Sequence, residues 1–428
     1  MIGPDYDFTH ALAMDAANPL SGLRSRFHHQ EGIIYMDGNS LGLFPKAAED
    51  SLNRVVNEWK TLGIKGWLEA ERPWFYFAEQ LGAMAASLVG AKPDEVVMTG
   101  TTTVNIHSLI STFFQPQGQR RKILADALNF PSDLYAMQGQ LKLHGLDAEK
   151  DLILVEPDGQ GWLNEQDIVD AMTDQVALVF LPSVLYRSGQ LLDIELLTRE
   201  AHKRDILIGF DCSHSVGAVP HYFDAWEVDF ALWCSYKYLN GGPGAPAFLF
   251  VNGKHFGMEP KLAGWFGFKK ERQFEMLSHF IPESHAGAWQ ISSPGILGGA
   301  PLEGSLKISL EAGIEQIRMQ SLKLTSYMIM LFTERLIKRF PEFKIITPLQ
   351  DNRRGGHIAF SHPEALRINE ALKSYGVIPD LRPPDIIRLA PVALYNTFEE
   401  VWKVVDLLLR IMEDKEYEQF SGERKAIT

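Results

Sequence analysis

The chain has 428 residues, of which 46% are hydrophobic and 22% are charged. This length allows two or three domains, and the composition is that of a globular protein rather than a disordered or membrane-embedded one. The net charge of −13 disfavours a polyanionic partner such as a nucleic acid, and a chain with only two cysteines has no disulfide framework.

The N-terminal stretch MIGPDYDFTHALAMDAANPL carries acids where a secretory signal would carry basic residues. No apolar run approaches the ~18 residues that a membrane helix needs. We therefore expect a cytoplasmic protein. Residues 1–50, punctuated by Gly and Pro, are predicted to pack with the C-terminal domain.

Between residues 96 and 252 short apolar runs alternate with helical periodicity, which is typical of βαβ units and predicts an α/β fold with a mostly parallel sheet. Helices are predicted at 103–112 and 194–204. A sheet of this kind binds its ligand outside the carboxyl ends of its strands. The predicted strands are 95–99, 122–125, 151–155, 176–181, 206–211, 230–235 and 247–251.

The character of the chain changes near residue 300, so we predict a large domain over 51–300 and a smaller α+β domain over 301–428. One long amphipathic helix, about 302–340, is expected to connect them. Strand-like runs follow at 343–346, 357–360 and 386–389, with helices at 364–375 and 398–413.

Two loops after predicted strands offer polar groups. Thr102 and Thr103 stand where a strand ends and a helix begins, so free N–H groups and hydroxyls there suit a phosphate. Phe130 is an aromatic ring that can lie on a flat cofactor, and it precedes Ser132 and Asp133. Alone, the first loop is better explained as a helix cap, and the second is explained as well by a helix cap as by a cofactor site.

Two further loops carry the chemistry. Asp211 ends an apolar strand, where a carboxylate can keep a heteroaromatic nitrogen protonated, and His214 follows it. Lys237 comes after the next apolar run, within CSYKYLNGGPG, where it can form an imine. A strand-end Asp is also a common helix cap, but the combination of the four loops indicates pyridoxal 5′-phosphate.

At this point the sequence resembles the kynureninase family, specifically its bacterial form, within the class-V aminotransferase superfamily of fold-type-I pyridoxal phosphate enzymes. The resemblance runs nearly from end to end. Its most specific motifs are GNSLGL and SYKYLN, and the others are GWLEAERPW, TTTVNIH, NFPSD, FDCSHSVGAVP, AGWFG, RRGGHIAFSHPE and RPPDIIRLAPVALYN.

The resemblance implies a role for each matching residue. Lys237 would bind the cofactor covalently, Asp211 would pair with its pyridine nitrogen, and Tyr236 would relay protons or bind phosphate. The substrate would meet Arg388 through its α-carboxylate, and also Trp67, Asn39 and Ser40. The other cofactor contacts would be Thr102, Thr103, Phe130, Ser132, Asp133, His214, Trp265 and Ser293.

The resemblance also implies the reaction, which is hydrolysis of L-kynurenine to anthranilate and L-alanine in tryptophan catabolism or NAD biosynthesis. Trp67 and Ser293 stand where animal enzymes carry His and Asn, which favours L-kynurenine over 3-hydroxykynurenine. Phe268 and Pro182 depart from the family pattern, so neither position can supply a proton-transfer group or a hydroxyl. A homodimer with shared active sites is implied as well.

Three other readings stay open on the residues alone. A cysteine desulfurase or lyase needs a nucleophilic Cys on a loop after the lysine, whereas both cysteines, Cys212 and Cys234, precede it. A non-catalytic protein that binds pyridoxal phosphate is the second. A metal hydrolase is the weakest, because the histidines lack ligand spacing and no metal site is predicted.

Overall fold

A computed structural model describes residues 7–423. Residues 1–6 and 424–428, the outer ends of the predicted N-terminal segment and C-terminal domain, lie outside the described residues. The strands are β1 (Ile34–Tyr35), β2 (Val96–Met98), β3 (Lys122–Asp126), β4 (Leu152–Val155), β5 (Val176–Pro182), β6 (Leu207–Asp211), β7 (Phe230–Trp233), β8 (Phe248–Val251), β9 (Lys344–Ile345), β10 (Ile358–Ser361), β11 (Val377–Ile378), β12 (Asp380–Arg382) and β13 (Ile386–Leu389). The α-helices are α1 (Phe8–Ala16), α2 (Lys46–Leu62), α3 (Gly66–Glu69), α4 (Phe77–Ala86), α5 (Thr102–Phe113), α6 (Pro131–Leu143), α7 (Ala148–Asp151), α8 (Glu165–Asp170), α9 (Ile194–His202), α10 (Ile296–Ala312), α11 (Ile314–Leu331), α12 (Ala365–Ser374) and α13 (Phe398–Glu413).

The central sheet has seven strands in the order β2-β8-β7-β6-β5-β3-β4. Strand β8 runs antiparallel to both of its neighbours, and the other neighbouring pairs are parallel. The seven predicted strands are therefore confirmed, with ends that shift by at most two residues. Because β5, β6 and β7 are parallel neighbours, the loops that follow them meet at one edge of the sheet.

The middle of this sheet is buried on both faces, which explains why its strands are continuous apolar runs rather than alternating ones. The ring of Phe230 on β7 stacks on Phe113 at 4.5 Å and on Phe180 at 6.1 Å between centroids. Gly209 on the adjacent strand makes room for it, since a Cβ there would lie 2.1 Å from the Phe230 ring. Burying a Phe side chain stabilises a fold by roughly 1.5–3 kcal/mol.

A second core surrounds the antiparallel sheet β12-β13-β10-β9 and helices α11, α12 and α13. Helix α13 starts with a complete capping box formed by Thr397 and Glu400. The N-terminal helix α1 packs on it, with the rings of Phe8 and Trp402 5.1 Å apart. Strand β1 pairs in parallel with β11, and Asp37 forms a bridge with Ala390 after β13, so residues 34–37 run beside the C-terminal strands.

The single long helix predicted over 302–340 is wrong. Helix α10 ends at Ala312, and α11 starts at Ile314 after Gly313, whose φ of +73° is costly for any residue other than glycine. A π-helical turn at Phe332–Ile337 continues α11. The apolar periodicity persists across the break because both helices bury one side, so the pattern alone did not reveal it. None of the helices between residues 7 and 423 is long and apolar enough to cross a membrane.

Candidate active site

Lys237 lies on the loop that follows β7, at the carboxyl edge of the central sheet. Its Nζ is 2.9 Å from Nε2 of His214. The N-terminal segment closes over this loop, because the Gly42 N–H donates to the Tyr236 carbonyl at 2.8 Å. A Cβ on Gly42 would lie 2.4 Å from the Lys237 carbonyl oxygen, so only glycine permits this approach.

Asp211 ends β6 and pairs in register with Leu232 of β7. One of its carboxylate oxygens accepts a hydrogen bond from the Ser213 N–H at 2.7 Å. Asp133 lies beside it, fully buried at the start of α6, and receives the Ser132 hydroxyl at 3.2 Å. Burial first, and the Asp211 charge second, raise the pKa of Asp133 well above its usual value. The protonated form of Asp133 is therefore favoured beside Asp211.

His214 is buried between Lys237 and the C-terminal sheet. Burial, followed by the positive charges of Lys237 and Arg388, lowers the pKa of its imidazole well below the usual value. The ring is therefore neutral, and its Nδ1 has no hydrogen-bond partner within residues 7–423. An unpartnered buried nitrogen of this kind is available to a bound molecule.

Helix α5 presents its start to the same edge of the sheet. Its N-cap residue, Thr101, makes no side-chain capping bond, so the backbone N–H groups near Thr102 and Thr103 are not capped by it. A cavity of about 340 Å³ adjoins this helix start and is lined also by Gly244 and Ser293. The structure thus brings Ser293 to the predicted phosphate loop.

Phe130 is the N-cap residue of α6, and 42% of its surface is exposed. Its ring meets the ring of Tyr186 edge-on at 5.2 Å, and Tyr186 lies 6.4 Å from the His214 ring. The ring of Tyr186 therefore links Phe130 to His214.

Arg388 on β13 is fully buried and donates from Nη2 to the Ser40 hydroxyl at 3.2 Å. After burial and the charge of Lys237, the positive charge of Arg388 also lowers the pKa of His214. Asn39 is fully buried too, and neither its side-chain nitrogen nor its oxygen has a partner in the part of the chain that the structure describes. The N-terminal segment and β13 thus form a second wall of the site.

Two predicted residues make their ring contacts with side chains outside the lysine loop. Trp67 packs against Trp74 and Phe266, at ring distances of 6.0 and 5.9 Å. Trp265 is 44% exposed and contacts Phe274. None of these contacts joins them to the lysine. Tyr236 does lie on the lysine loop, where burial, followed by the neighbouring Cys234, raises the pKa of its hydroxyl.

Sequence reasoning missed Tyr186 and His357. Tyr186 follows the carboxyl end of β5, and the rule that flagged the other loops would have found it. His357 is fully buried with its ring 6.1 Å from that of His214, and burial lowers the pKa of its imidazole. Its segment, RRGGH, has no strand-end signal of its own. No group of three His, Cys, Asp or Glu residues within 7–423 is arranged to hold a metal ion.

The chain is similar to known proteins over nearly its whole length. The kynureninase C-terminal domain family matches residues 317–408. A protein named kynureninase from Geobacillus thermodenitrificans is 55% identical over 424 residues, which cover 99% of this chain and 98% of that protein. Another kynureninase, from Bacillus cereus, is 53% identical over 424 residues, with the same 99% and 98% coverage.

Solved structures show the fold. The apo form of a cysteine desulfurase from Thermococcus onnurineus aligns with a TM-score of 0.76 at 19% identity, covering 92% of this chain and 98% of that one. A C-DES variant with glycine covalently linked to its pyridoxal phosphate cofactor aligns with a TM-score of 0.75 at 16% identity, covering 90% and 98%. The predicted fold-type-I α/β architecture is confirmed.

Proposed function

The chain belongs to the kynureninase family, and from this premise we propose that it hydrolyses the Cβ–Cγ bond of L-kynurenine, giving anthranilate and L-alanine. The observation that carries the proposal is the grouping of Lys237, His214, Asp211 and Asp133 at the carboxyl edge of the sheet, with Lys237 Nζ 2.9 Å from His214. A cytoplasmic place in tryptophan catabolism or NAD biosynthesis is part of the same proposal, to be tested by fractionation and by isotope labelling of cells.

Pyridoxal phosphate fits the residues present. Lys237 would hold it, the uncapped start of α5 with Thr102 and Thr103 would receive its phosphate, and Phe130 would lie against its ring. The buried, unpartnered Nδ1 of His214 and one unpartnered oxygen of Asp133 offer further polar contacts. When bound, the cofactor supplies an electron sink for the carbanion that forms when the carbon–carbon bond breaks.

The protein's own groups then have separate tasks. Asp211 would pair with the cofactor's ring nitrogen, and Ser132 orients the neighbouring Asp133. The Lys237 amine, once free, would transfer the substrate's Cα proton. Because the His214 ring is neutral, it places no fixed positive charge beside this amine when the amine takes up the proton. Tyr236 is our candidate for a proton relay or a phosphate contact.

Arg388, Ser40 and Asn39 form the wall that we assign to the substrate's α-carboxylate, because a planar, permanently charged guanidinium is well suited to binding a carboxylate. Trp67 and Ser293 would border the aryl ring. An indole and a short hydroxyl offer less to a ring hydroxyl than His and Asn do, so we propose a preference for L-kynurenine. Phe268 is buried against Phe280 and supplies no proton-transfer group.

We also propose that two copies of the chain complete each site, with residues 36–46 and 265–293 near the shared interface. Large apolar side chains are exposed around Trp67 and Trp265: Trp59 is 60% exposed, Leu68 70% and Phe274 76%. Such a patch is typical of a subunit contact. Light scattering of the purified protein tests the dimer, and Phe274→Asp is expected to weaken it and to lower activity with it.

The experiment that tests the function starts from the visible spectrum. We expect a cofactor band that borohydride removes, and anthranilate fluorescence on addition of L-kynurenine. Lys237→Arg should abolish turnover, whereas Lys203→Arg, on the exposed end of α9, should not. A band without anthranilate would contradict the reaction. Sulfide release from cysteine would favour a desulfurase, and a band with neither activity would favour a non-catalytic protein that binds pyridoxal phosphate.

The substrate preference is measured as the ratio of kcat/KM for L-kynurenine and 3-hydroxykynurenine. Replacing Trp67 by His together with Ser293 by Asn should move this ratio toward the hydroxylated substrate by about tenfold, the value of one hydrogen bond. An unchanged ratio would remove both residues from the aryl end of the site.

A further inference from the structure

The buried Arg388 has a carboxylate directly across the sheet. Strands β12 and β13 are antiparallel, and their register puts Asp380 opposite Arg388. The Nε of Arg388 donates to Oδ2 of Asp380 at 2.5 Å, and Nη2 pairs with the same oxygen. Asp380 itself is 7% exposed. The ion pair with Asp380 therefore occupies the side edge of the guanidinium, which is formed by Nε and Nη2.

The end edge of the guanidinium, formed by Nη1 and Nη2, is directed at two residues that border the candidate site. Nη1 donates to the Tyr186 carbonyl at 2.5 Å, and Nη2 donates to the Ser40 hydroxyl at 3.2 Å. The Tyr186 ring contacts those of Phe130 and His214. A guanidinium is planar, so fixing one edge fixes the direction of the other.

We propose that Asp380 is a positioning residue for the substrate: by holding the side edge of Arg388, it keeps the end edge aimed, beside Ser40, at the substrate's α-carboxylate. The proposal rests on the proposed function, which assigns that carboxylate to Arg388. It adds a residue that makes no contact with substrate or cofactor itself and acts through the arginine.

The charges around the Asp380–Arg388 ion pair favour the binding of one more anion. Arg382 also donates to Oδ2 of Asp380, at 3.0 Å, so two guanidinium groups share one carboxylate. The remaining carboxyl group, Asp37, is buried beside Asp380, and burial followed by that charge raises its pKa to about 7. At pH 7 Asp37 is therefore protonated in about half of the molecules, so these four groups carry up to one net positive charge, which a substrate carboxylate can neutralise.

Asp380→Asn tests the proposal, because it keeps an oxygen near Arg388 but removes the charge that holds the guanidinium. We expect KM for L-kynurenine to rise about tenfold or more, the loss of one charged hydrogen bond, while kcat changes by less than about threefold. The cofactor band and cofactor affinity should stay unchanged. If KM fell instead, Asp380 would be competing with the substrate and the proposal would be wrong.

Calorimetric binding to the cofactor-loaded protein gives a readout that does not depend on turnover. L-alanine carries the α-carboxylate, whereas kynurenamine has the substrate's aryl ketone and amine without it. The variant should bind L-alanine about tenfold more weakly and kynurenamine as well as the parent does. Equal weakening of both ligands, or of neither, would overturn the positioning role.

A second variant covers the case in which Asp380→Asn does not fold. Asp380→Glu retains the charge but lengthens the side chain, so the guanidinium must move, and L-alanine binding should weaken while kynurenamine binding does not. Unchanged L-alanine binding would again contradict the proposal. If the parent protein released no anthranilate, the proposed function would fail by itself, because the L-alanine titration needs only the loaded protein.

Discussion

The buried carboxylate of Asp229, at the amino end of β7 in the central sheet, gives the most specific stability prediction. Asp229 immediately precedes β7 and is fully buried. Its Oδ2 accepts the Ile208 N–H at 2.8 Å and lies 3.0 Å from His202 Nε2. Its Oδ1 lies 2.8 Å from both Lys254 Nζ and His255 Nε2. One carboxylate therefore ties the starts of β6 and β7 to two flanking segments.

Asp229→Asn keeps the shape of the side chain and removes the charge. Each hydrogen bond to a charged group contributes about 1.5–3 kcal/mol, and breaking a buried ion pair costs about 3–5 kcal/mol. Because the Lys254 side chain is 37% exposed, we expect a loss at the lower end of the ion-pair range, about 3 kcal/mol in the free energy of unfolding at pH 7. Urea unfolding followed by tryptophan fluorescence measures it, with each transition fitted separately.

Asp224→Asn is the matched control. That carboxylate pairs with Lys92 at 2.6 Å, but the side chains are 42% and 59% exposed, so the cost should be about 1 kcal/mol or less. Neither change should alter anthranilate release from the folded enzyme, because Asp229 lies at the opposite end of the strands from Lys237. Equal costs for the two variants would refute the reasoning.

The pH dependence has a definite sign. Burial opposes ionisation of Asp229, but the bonds from His202, His255 and Lys254 outweigh it and hold its pKa below the usual value. A depressed carboxyl pKa gives stability that is present above the unfolded pKa of about 3.9 and is lost as the pH falls toward the folded pKa. The difference in free energy of unfolding between the parent and Asp229→Asn should therefore shrink below about pH 4. A constant difference from pH 7 to pH 3 would contradict this prediction.

Three other predictions concern buried groups. Burial raises the pKa of Asp126 to about 7. Ionising this carboxyl group therefore destabilises the fold as the pH rises above the pKa of the unfolded chain, so Asp126→Asn should raise the melting temperature more at pH 8 than at pH 5. A Cβ on Gly304 would lie 2.0 Å from the Ala47 carbonyl oxygen, so Gly304→Ala should cost about 1–3 kcal/mol in thermal unfolding, whereas Gly298→Ala, in ordinary contact, should cost less. Both cysteines are buried, and burial raises the pKa of Cys212 to about 12, so Ellman's reagent should label neither until the protein unfolds; rapid labelling of the native protein would contradict this.

The placement of Asp211 and Lys237 could be predicted because each follows an apolar run that had to be a buried strand. Parallel neighbours end at the same edge, so two residues far apart in sequence converge without any knowledge of side-chain packing. The same reasoning extends to Tyr186, which follows β5. Local pattern and one topological rule were sufficient for this half of the site.

The other half depends on register, which no pattern specifies. Asp380 faces Arg388 only because the β12–β13 pairing has one particular alignment, and a shift of one residue would turn Asp380 to the other face. The turn at Gly313 escaped notice for a related reason, since helical periodicity on both sides hides a break of a single residue. Contacts between distant segments, such as Ser40 with Arg388, follow from tertiary packing alone.

The pairing of β1 with β11 also bears on how the chain is made. The partner of Ile34 is Val377, which leaves the ribosome only after the whole central sheet has been synthesised. Because domains fold as units during synthesis, a nascent chain can assemble the edge that bears Lys237 and Asp211 while residues 34–40 still lack their strand partner. The contact between Ser40 and Arg388 therefore cannot form until residue 388 has been synthesised, and a chain that stops short of Val377 lacks both this contact and the partner of Ile34.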